Sequence, residues 1–333
     1  MLLVAAVAAS QDFRASAREL SEIFSCMTLV LALVLVRGEA RVRWLVDATI
    51  LMGAAVAVWG LLQLLSGMGD VESRIRGPFS HYMTFAGFLL VVDLLLVARL
   101  LARRPDPGSP VQGPTACLDR AWVSWLCLAL LSTALVSSLT RSAWIALAAS
   151  LVLVVALVRP KLLLAAPPVA AFLLIVAPVP IVHRVLSIAS LSDGSNYDRI
   201  CMAEAGLRMI GERPLLGLGP ELVKRVYPLY RHPSAPRLLV PHLHDSYLQL
   251  AAERGIPELA FYLALLATAG VAAWRGFRRR GSDADLHLGV VGALAAFMVA
   301  GLFEHNWGDT EVQRIVLVLL AIPAALAPVE RAA

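Results

Sequence analysis

The sequence predicts an all-α, polytopic helical membrane protein, and three observations support this fold class. Apolar residues occupy 59% of the 333 positions, the mean hydropathy is +0.74, and only 16% of residues are charged. The apolar residues gather in runs near the length of about 20 residues that crosses a bilayer. Arginines cluster in the short connections between these runs. One soluble core could not bury so much apolar surface, so the solvent of this chain is lipid.

Nine apolar runs are candidate transmembrane helices, as judged by length and hydropathy. They cover residues 21–36, 44–66, 81–101, 120–139, 141–158, 162–183, 256–275, 286–304 and 310–328. Residues 1–10 are apolar but too short to cross, and they lack the basic flank of a signal peptide. We interpret them as the end of a truncated first span.

The arginine-rich connections predict the orientation, because short cytoplasmic loops carry an excess of Arg and Lys. With nine spans, four such connections fall on one side, which we take as cytoplasmic. They contain Arg37, Arg41, Arg43, Arg99, Arg103, Arg104, Arg120, Arg159, Lys161, Arg275, Arg278, Arg279 and Arg280. Residues 67–80, the turn near Thr140, residues 184–255 and residues 305–309 then face outward. This topology accounts for the net charge of +5 without a nucleic-acid partner.

The long outward segment divides the chain into three predicted parts: N-terminal transmembrane helices at 1–183, a loop domain at 184–255 and C-terminal transmembrane helices at 256–333. A loop of this length is typical of a functional region. Within it we predict a helix over 197–211, capped by Asn196, and a second helix over 244–253. Glu204 and Arg208 are expected to form an ion pair on the first helix. The Pro/Gly-rich stretch 102–116 is predicted to be a linker.

The outward segment is rich in cations, which favours an anionic ligand at the membrane surface. These cations are Arg184, Arg199, Arg208, Arg213, Lys224, Arg225, Arg231 and Arg237. Attraction to ordinary anionic lipids explains this charge equally well. Arg141 is a sharper candidate because its guanidinium opens a span directly after a turn, where its planar fork matches phosphate oxygens. Snorkelling to the membrane surface is the alternative interpretation.

The sequence predicts no metal site, since it contains no Cys or His pair at zinc-ligand spacing. His242 and His244 are two residues apart, but the sequence does not obviously supply the further ligands that a metal ion needs.

Several motifs together resemble the O-antigen ligase and polymerase family. The motifs are Leu139-Thr140-Arg141-Ser142-Ala143-Trp144, Asp198-Arg199, the turn from Pro214 to Pro220, His242 to Leu250 and Glu253 to Pro257, with weaker similarity at Gly77 to His81 and Gly301 to Asp309. Each motif alone is weak, but their order, spacing and shared outward placement are more specific.

The resemblance implies a bacterial inner-membrane glycosyltransferase whose active face is periplasmic. Such a protein takes a glycan from undecaprenyl pyrophosphate and transfers it to an acceptor, which is the lipid A core for a ligase. It implies no cofactor and a metal-independent, inverting reaction. When the roles of the family's residues are assigned to the matching positions, Arg141 and Arg199 hold the pyrophosphate, and His244 acts on the acceptor hydroxyl. His242, Asp245, Arg208 and Tyr247 are further possible site residues.

These roles are chemically reasonable. Pyrophosphate gains negative charge as it leaves, so arginines aimed at it stabilise the transition state more than the ground state. An imidazole with an ordinary pKa of about 6.5 can take the proton from the acceptor hydroxyl. Two residues depart from the family pattern: Asp245 follows the signature histidine where Asn is usual, and Glu258 stands where glycine is common. Asp245 could increase the basicity of an imidazole or cap the helix, and His242 is a substitute candidate for the base.

Three other functions fit part of the sequence. A repeat-unit polymerase would use a second carrier-linked glycan as its acceptor. A flippase would place ionisable groups near the bilayer midplane, whereas Asp47 and Asp93 lie near the cytoplasmic ends of their spans. A non-catalytic component of polysaccharide assembly would keep the motifs without the activity.

Overall fold

The structure is a computed structural model that describes residues 1–69, 72–103, 114–190 and 193–327, without the side chains of residues 18, 21 and 114. Within these ranges the chain is helical and contains no strand, which confirms the predicted all-α class. Of the predicted linker at 102–116, residues 104–113 lie outside the described part.

Fifteen α-helices follow one another along the described chain. They are α1 (Leu2–Ala8), α2 (Phe13–Ser16), α3 (Glu22–Leu35), α4 (Glu39–Leu65), α5 (Tyr82–Ala102), α6 (Ala121–Ser137), α7 (Arg141–Val158), α8 (Ala166–Val176), α9 (Val179–Leu186), α10 (Gly194–Glu212), α11 (Val223–Tyr230), α12 (Ser246–Arg254), α13 (Ile256–Arg278), α14 (Ala284–Gly301) and α15 (Thr310–Ala325).

Five of the described helices, α4, α5, α7, α13 and α14, are long and apolar enough to cross a membrane. Three further apolar segments are shorter, at Glu22–Leu35, Ala121–Ser137 and Pro160–Val176. The chain is thus a multi-pass membrane protein, while the count of nine spans stays a prediction. The run expected at 162–183 is divided between α8 and α9, because Ala177 is extended ahead of Pro178 and proline disfavours helical geometry in the residue before it.

The chain forms two compact units. The second unit comprises Thr28–Val185, Thr268–Ala300 and the described residues from Arg314 onward. Its helices α4, α5, α6 and α7 pack together, with α5 buried along most of its length. Asp47, in a span, is paired with Arg99, whose Nη1 lies 2.7 Å from Oδ1, and Asp93 accepts a hydrogen bond from Ser132. Each of these two carboxylates therefore has a partner within the helix packing. The expectation that Asp93 lies near the end of its span is wrong, because Asp93 is at the middle of α5.

The first unit comprises Met1–Met27, Leu186–Ala267 and Gly301–Gln313. Its core is formed by α10, α11 and α12 around fully buried apolar side chains, among them Met202, Met209 and Tyr227. Helix α10 begins at Gly194 and is capped by Asp193, which accepts from the amides of Ser195 and Asn196. The prediction that Asn196 caps this helix is therefore wrong. Its side-chain Nδ2 instead donates to the backbone carbonyls of residues 187, 188 and 190.

A turn after α10 fixes the end of α12. The Leu218 amide donates to the Ala252 carbonyl at 2.9 Å, and the Ile256 amide donates to the Pro214 carbonyl at 2.8 Å. Gly217 and Gly255 both have positive φ angles, of 65° and 86°, and each faces the backbone of the other segment. A side chain at either position would collide with that backbone, so glycine is required where the turn meets α12.

Candidate active site around His244

The loop before α12 holds His244 in a constrained conformation. His244 has a left-handed φ of 53°, which is uncommon outside glycine. On one side the Leu243 amide donates to Gln249 Oε1 at 2.8 Å. On the other, Ser246 Oγ donates to the Glu304 carbonyl at 3.0 Å. These bonds fix the backbone around the imidazole and connect it to the segment that follows α14.

Asp245 caps α12. Its Oδ1 accepts from the amides of Tyr247 and Leu248, each at 2.8 Å. Burial raises the pKa of this carboxyl, and the two amide bonds oppose that effect. Of the two roles considered for Asp245, helix capping is therefore the one the geometry supports.

Glu304 lies against the two histidines of the predicted signature. Its Oε2 is 2.9 Å from His244 Nδ1, and its Oε1 is 3.4 Å from His242 Nε2. Burial would raise the pKa of this carboxyl, but the hydrogen bond from His244 and the charges of His244, His242 and Arg199 lower it to about 2. Glu304 is therefore ionised and can only accept. His244 Nδ1 must carry the proton, which leaves Nε2 as the basic nitrogen.

A third imidazole, that of His305, lies beside these two histidines. The His242 ring centroid lies 4.3 Å from that of His244 and 5.8 Å from that of His305. Burial, followed by the charge of His242, lowers the pKa of His305 to about 3. His305 is thus neutral near pH 7 and adds no charge beside Glu304.

The other predicted residues of this unit occupy different surroundings. Arg199 lies close enough to Glu304 for its charge to lower the carboxyl pKa, so it belongs to the His244 neighbourhood. Arg208 forms the predicted ion pair with Glu204 at 2.5 Å on an exposed face of α10. Tyr247 packs beside Tyr262, with ring centroids 6.3 Å apart, and burial raises its pKa to about 12.

Arg141 belongs to the second unit, where it is buried at the first position of α7. The preceding turn has a positive φ of 53° at Leu139, whose carbonyl accepts from Arg184 Nε at 3.3 Å. Arg74 lies nearby: burial and the charge of Arg141 lower its pKa, and its guanidinium stacks 4.2 Å from the Tyr82 ring centroid. Sequence reasoning did not single out Arg74. The convergence of Arg141 with His244 stays a prediction.

Glu304 is the main site residue that motif reasoning missed. It lies in the weak similarity at Gly301 to Asp309, whose role the sequence left undefined. His242, His244 and Glu304 also present three potential metal ligands whose donor atoms all lie within 4.8 Å of one another. The sequence analysis found no third ligand for the histidine pair because Glu304 lies 60 residues after His244.

Comparison with known families supports the resemblance found in the motifs. Residues 126–263 match the family model described as O-antigen ligase. This segment contains Arg141, Arg199, His242 and His244, whereas Glu304 follows it. A search of curated proteins gave no match.

Proposed function

We propose that this multi-pass membrane protein, which contains an O-antigen ligase family segment, transfers a glycan from undecaprenyl pyrophosphate to an acceptor hydroxyl. The reaction takes place at the periplasmic face of the inner membrane. The acceptor of this ligase reaction is the lipid A core. The observation that carries the proposal is the contact between the buried Glu304 carboxyl group and the imidazole, with Oε2 2.9 Å from His244 Nδ1.

The imidazole is the proposed general base. Because Nδ1 donates to Glu304, Nε2 accepts the proton from the acceptor hydroxyl as its oxygen bonds to the anomeric carbon. The bond between that carbon and the pyrophosphate oxygen breaks, and its electron pair leaves with the lipid carrier. The ionised carboxylate stabilises the imidazolium that forms, which is the orienting role of an acid behind a catalytic histidine. Attack opposite the leaving group inverts the anomeric centre.

Arginines are the proposed ligands of the leaving group. Arg199, beside Glu304, and Arg141, at the start of α7, would bind the pyrophosphate oxygens. Guanidinium forks bind phosphate oxygens in pairs and stabilise the charge that grows as the carrier leaves. No step in this scheme needs a metal ion or a nucleotide sugar.

Purified protein tests the proposal with a carrier-linked glycan and lipid A core as acceptor. His244→Ala is expected to lower the transfer rate by about 10²- to 10⁴-fold, the usual contribution of a general base. His232→Ala is the matched control, because His232 lies in the same unit and its ring Nδ1 bonds to Ser234, two residues away. Equal rates for His244→Ala and the unmodified protein would refute the role of His244. Product formed from carrier-linked glycan alone would identify a polymerase instead.

A further inference from the structure

The cluster of His242, His244 and Glu304 has the dimensions of a metal site. In a tetrahedral site, ligand atoms bound at about 2.0–2.2 Å from one ion lie about 3.4 Å from one another. His242 Nε2 and Glu304 Oε1 are 3.4 Å apart, and His244 Nδ1 and Glu304 Oε2 are 2.9 Å apart. These two distances involve different oxygens of Glu304, and the donor atoms of all three residues lie within 4.8 Å of one another. Side-chain rotations that shorten the longer separations would bring one nitrogen from each ring and one carboxylate oxygen around a single ion.

The cluster is also preorganised and accessible from solvent. The bonds from Leu243 to Gln249 and from Ser246 to the Glu304 carbonyl fix the backbone that carries the ligands. The Glu304 side chain is only 5% exposed, whereas that of His242 is 27% exposed. An ion can thus approach from the His242 side and reach the Glu304 carboxyl group.

The ligand types select the class of metal. Two imidazole nitrogens and one carboxylate oxygen suit borderline ions such as Zn²⁺, whereas Mg²⁺ and Ca²⁺ prefer oxygen ligands. The positive charge of Arg199 near Glu304 opposes a cation. We therefore expect weaker binding than at a structural zinc site, where the ion supports the fold.

We propose that His242, His244 and Glu304 form an inhibitory site for a zinc-class divalent cation, which replaces the proton shared between His244 and Glu304. When Nδ1 binds the ion, its proton is lost to solvent and Nε2 takes up a proton from solvent, so the ring stays a neutral imidazole. Nε2–H can then no longer accept a proton from an acceptor hydroxyl. The inhibition rests on the proposed function, because the same imidazole is the base in glycan transfer. The binding itself does not depend on that reaction.

Metal binding is measured on the full chain in detergent, after chelator treatment and removal of any histidine tag. Titration with Zn²⁺ is followed by calorimetry, and Co²⁺ is followed by its visible absorption. We expect one ion per chain, with affinity lowered about tenfold or more in His242→Gln and in Glu304→Gln. His232→Gln is the control and should bind as the unmodified protein does. No binding, or binding that is equal in all variants, would overturn the site.

The second measurement is glycan transfer during a Zn²⁺ titration, with each variant compared with its own zinc-free rate. Zinc should inhibit the unmodified protein, a chelator should restore the rate, and His242→Gln should need about tenfold more zinc. Stimulation by zinc, or inhibition unchanged in His242→Gln, would overturn the inhibitory role. Site-dependent binding without any transfer activity would refute the proposed function alone. Transfer that depends on His244 without zinc binding would refute the metal site alone.

Discussion

At the scale of single residues, the contact between Glu304 and His244 gives the imidazole a defined proton position. The carboxylate is buried and ionised, so it holds Nδ1–H in place, and Nε2 is the nitrogen that would accept a proton in the proposed transfer. Orientation by a buried acid is a frequent way to make a histidine an effective base.

Replacement of Glu304 by Gln tests this positioning role. We expect kcat for glycan transfer to fall roughly 10²-fold or more with little change in KM, because the amide cannot stabilise the imidazolium that forms in the transition state. Glu304→Asp should recover part of the rate, since it keeps the charge. Steady-state kinetics measures both constants.

The control for this experiment is Glu204→Gln, which removes a carboxylate from an exposed ion pair on α10 of the same unit. It should leave kcat within about twofold, since a surface ion pair contributes little. A loss in Glu304→Gln that appears only in KM, or that follows a lowered Tm, would argue against positioning.

At this scale the sequence predicted the histidines but not their carboxylate. His242 and His244 can be recognised in the sequence because they lie two residues apart, just before a helix that begins with a capping residue. Glu304 is brought to them by α13 and α14, and such a long-range contact has no local signal. The wrong capping prediction for Asn196 has a similar cause. Asp193, three residues earlier, caps the helix instead, and the sequence alone did not decide between the two residues.

At the scale of elements, the meeting of α12 with the turn at 214–220 depends on glycine. The φ of Gly255 is 86°, and a methyl group there would overlap the backbone at Leu215. This contact also fixes Arg254, a buried cation whose Nη2 lies 2.7 Å from Glu22 and whose Nη1 lies 3.1 Å from Glu258.

Gly255→Ala is therefore expected to destabilise the first unit. Strain at a positive φ costs roughly 1–3 kcal/mol, and the overlap adds to it, so the apparent Tm in detergent should fall by about 4 °C or more. Thermal unfolding followed by intrinsic fluorescence would measure the change. Gly211→Ala is the control: Gly211 is helical and has open space around its Cα, so its Tm should be unchanged or slightly higher. Equal Tm values for both variants would contradict the requirement for glycine.

The positions of individual helices were the feature that the sequence predicted best. The span at 141–158 coincides with α7, and the helices at 197–211 and 244–253 correspond to α10 and α12. Hydrophobic runs and capping residues are local properties, which explains this agreement. Helix α11 was missed because it is short, polar overall and contains Pro228, which normally argues against a helix.

At the scale of the whole molecule, orientation in the membrane decides which compartment the candidate site faces. The arginines from Arg275 to Arg280 follow the apolar part of α13. The His244 loop, residues 231–245 between α11 and α12, lies on the N-terminal side of the same helix. Because α13 is long enough to cross a bilayer, these two regions are expected on opposite sides.

Cysteine labelling tests this orientation in a variant whose four native cysteines are replaced. Leu238→Cys, at an exposed position of the His244 loop, should react with an impermeant maleimide on intact spheroplasts. Arg279→Cys should react only after the membrane is opened. The reverse pattern would place the candidate site in the cytoplasm and exclude transfer from a periplasmic carrier.

The assembly of the first unit from three distant stretches of chain has a consequence for biosynthesis. Glu304 leaves the ribosome 60 residues after His244, and the membrane insertion machinery must receive α13 and α14 in between. The nascent protein therefore displays its imidazoles before their acidic partner exists. The proposed general base and its carboxylate can therefore meet only after α13 and α14 have been synthesised.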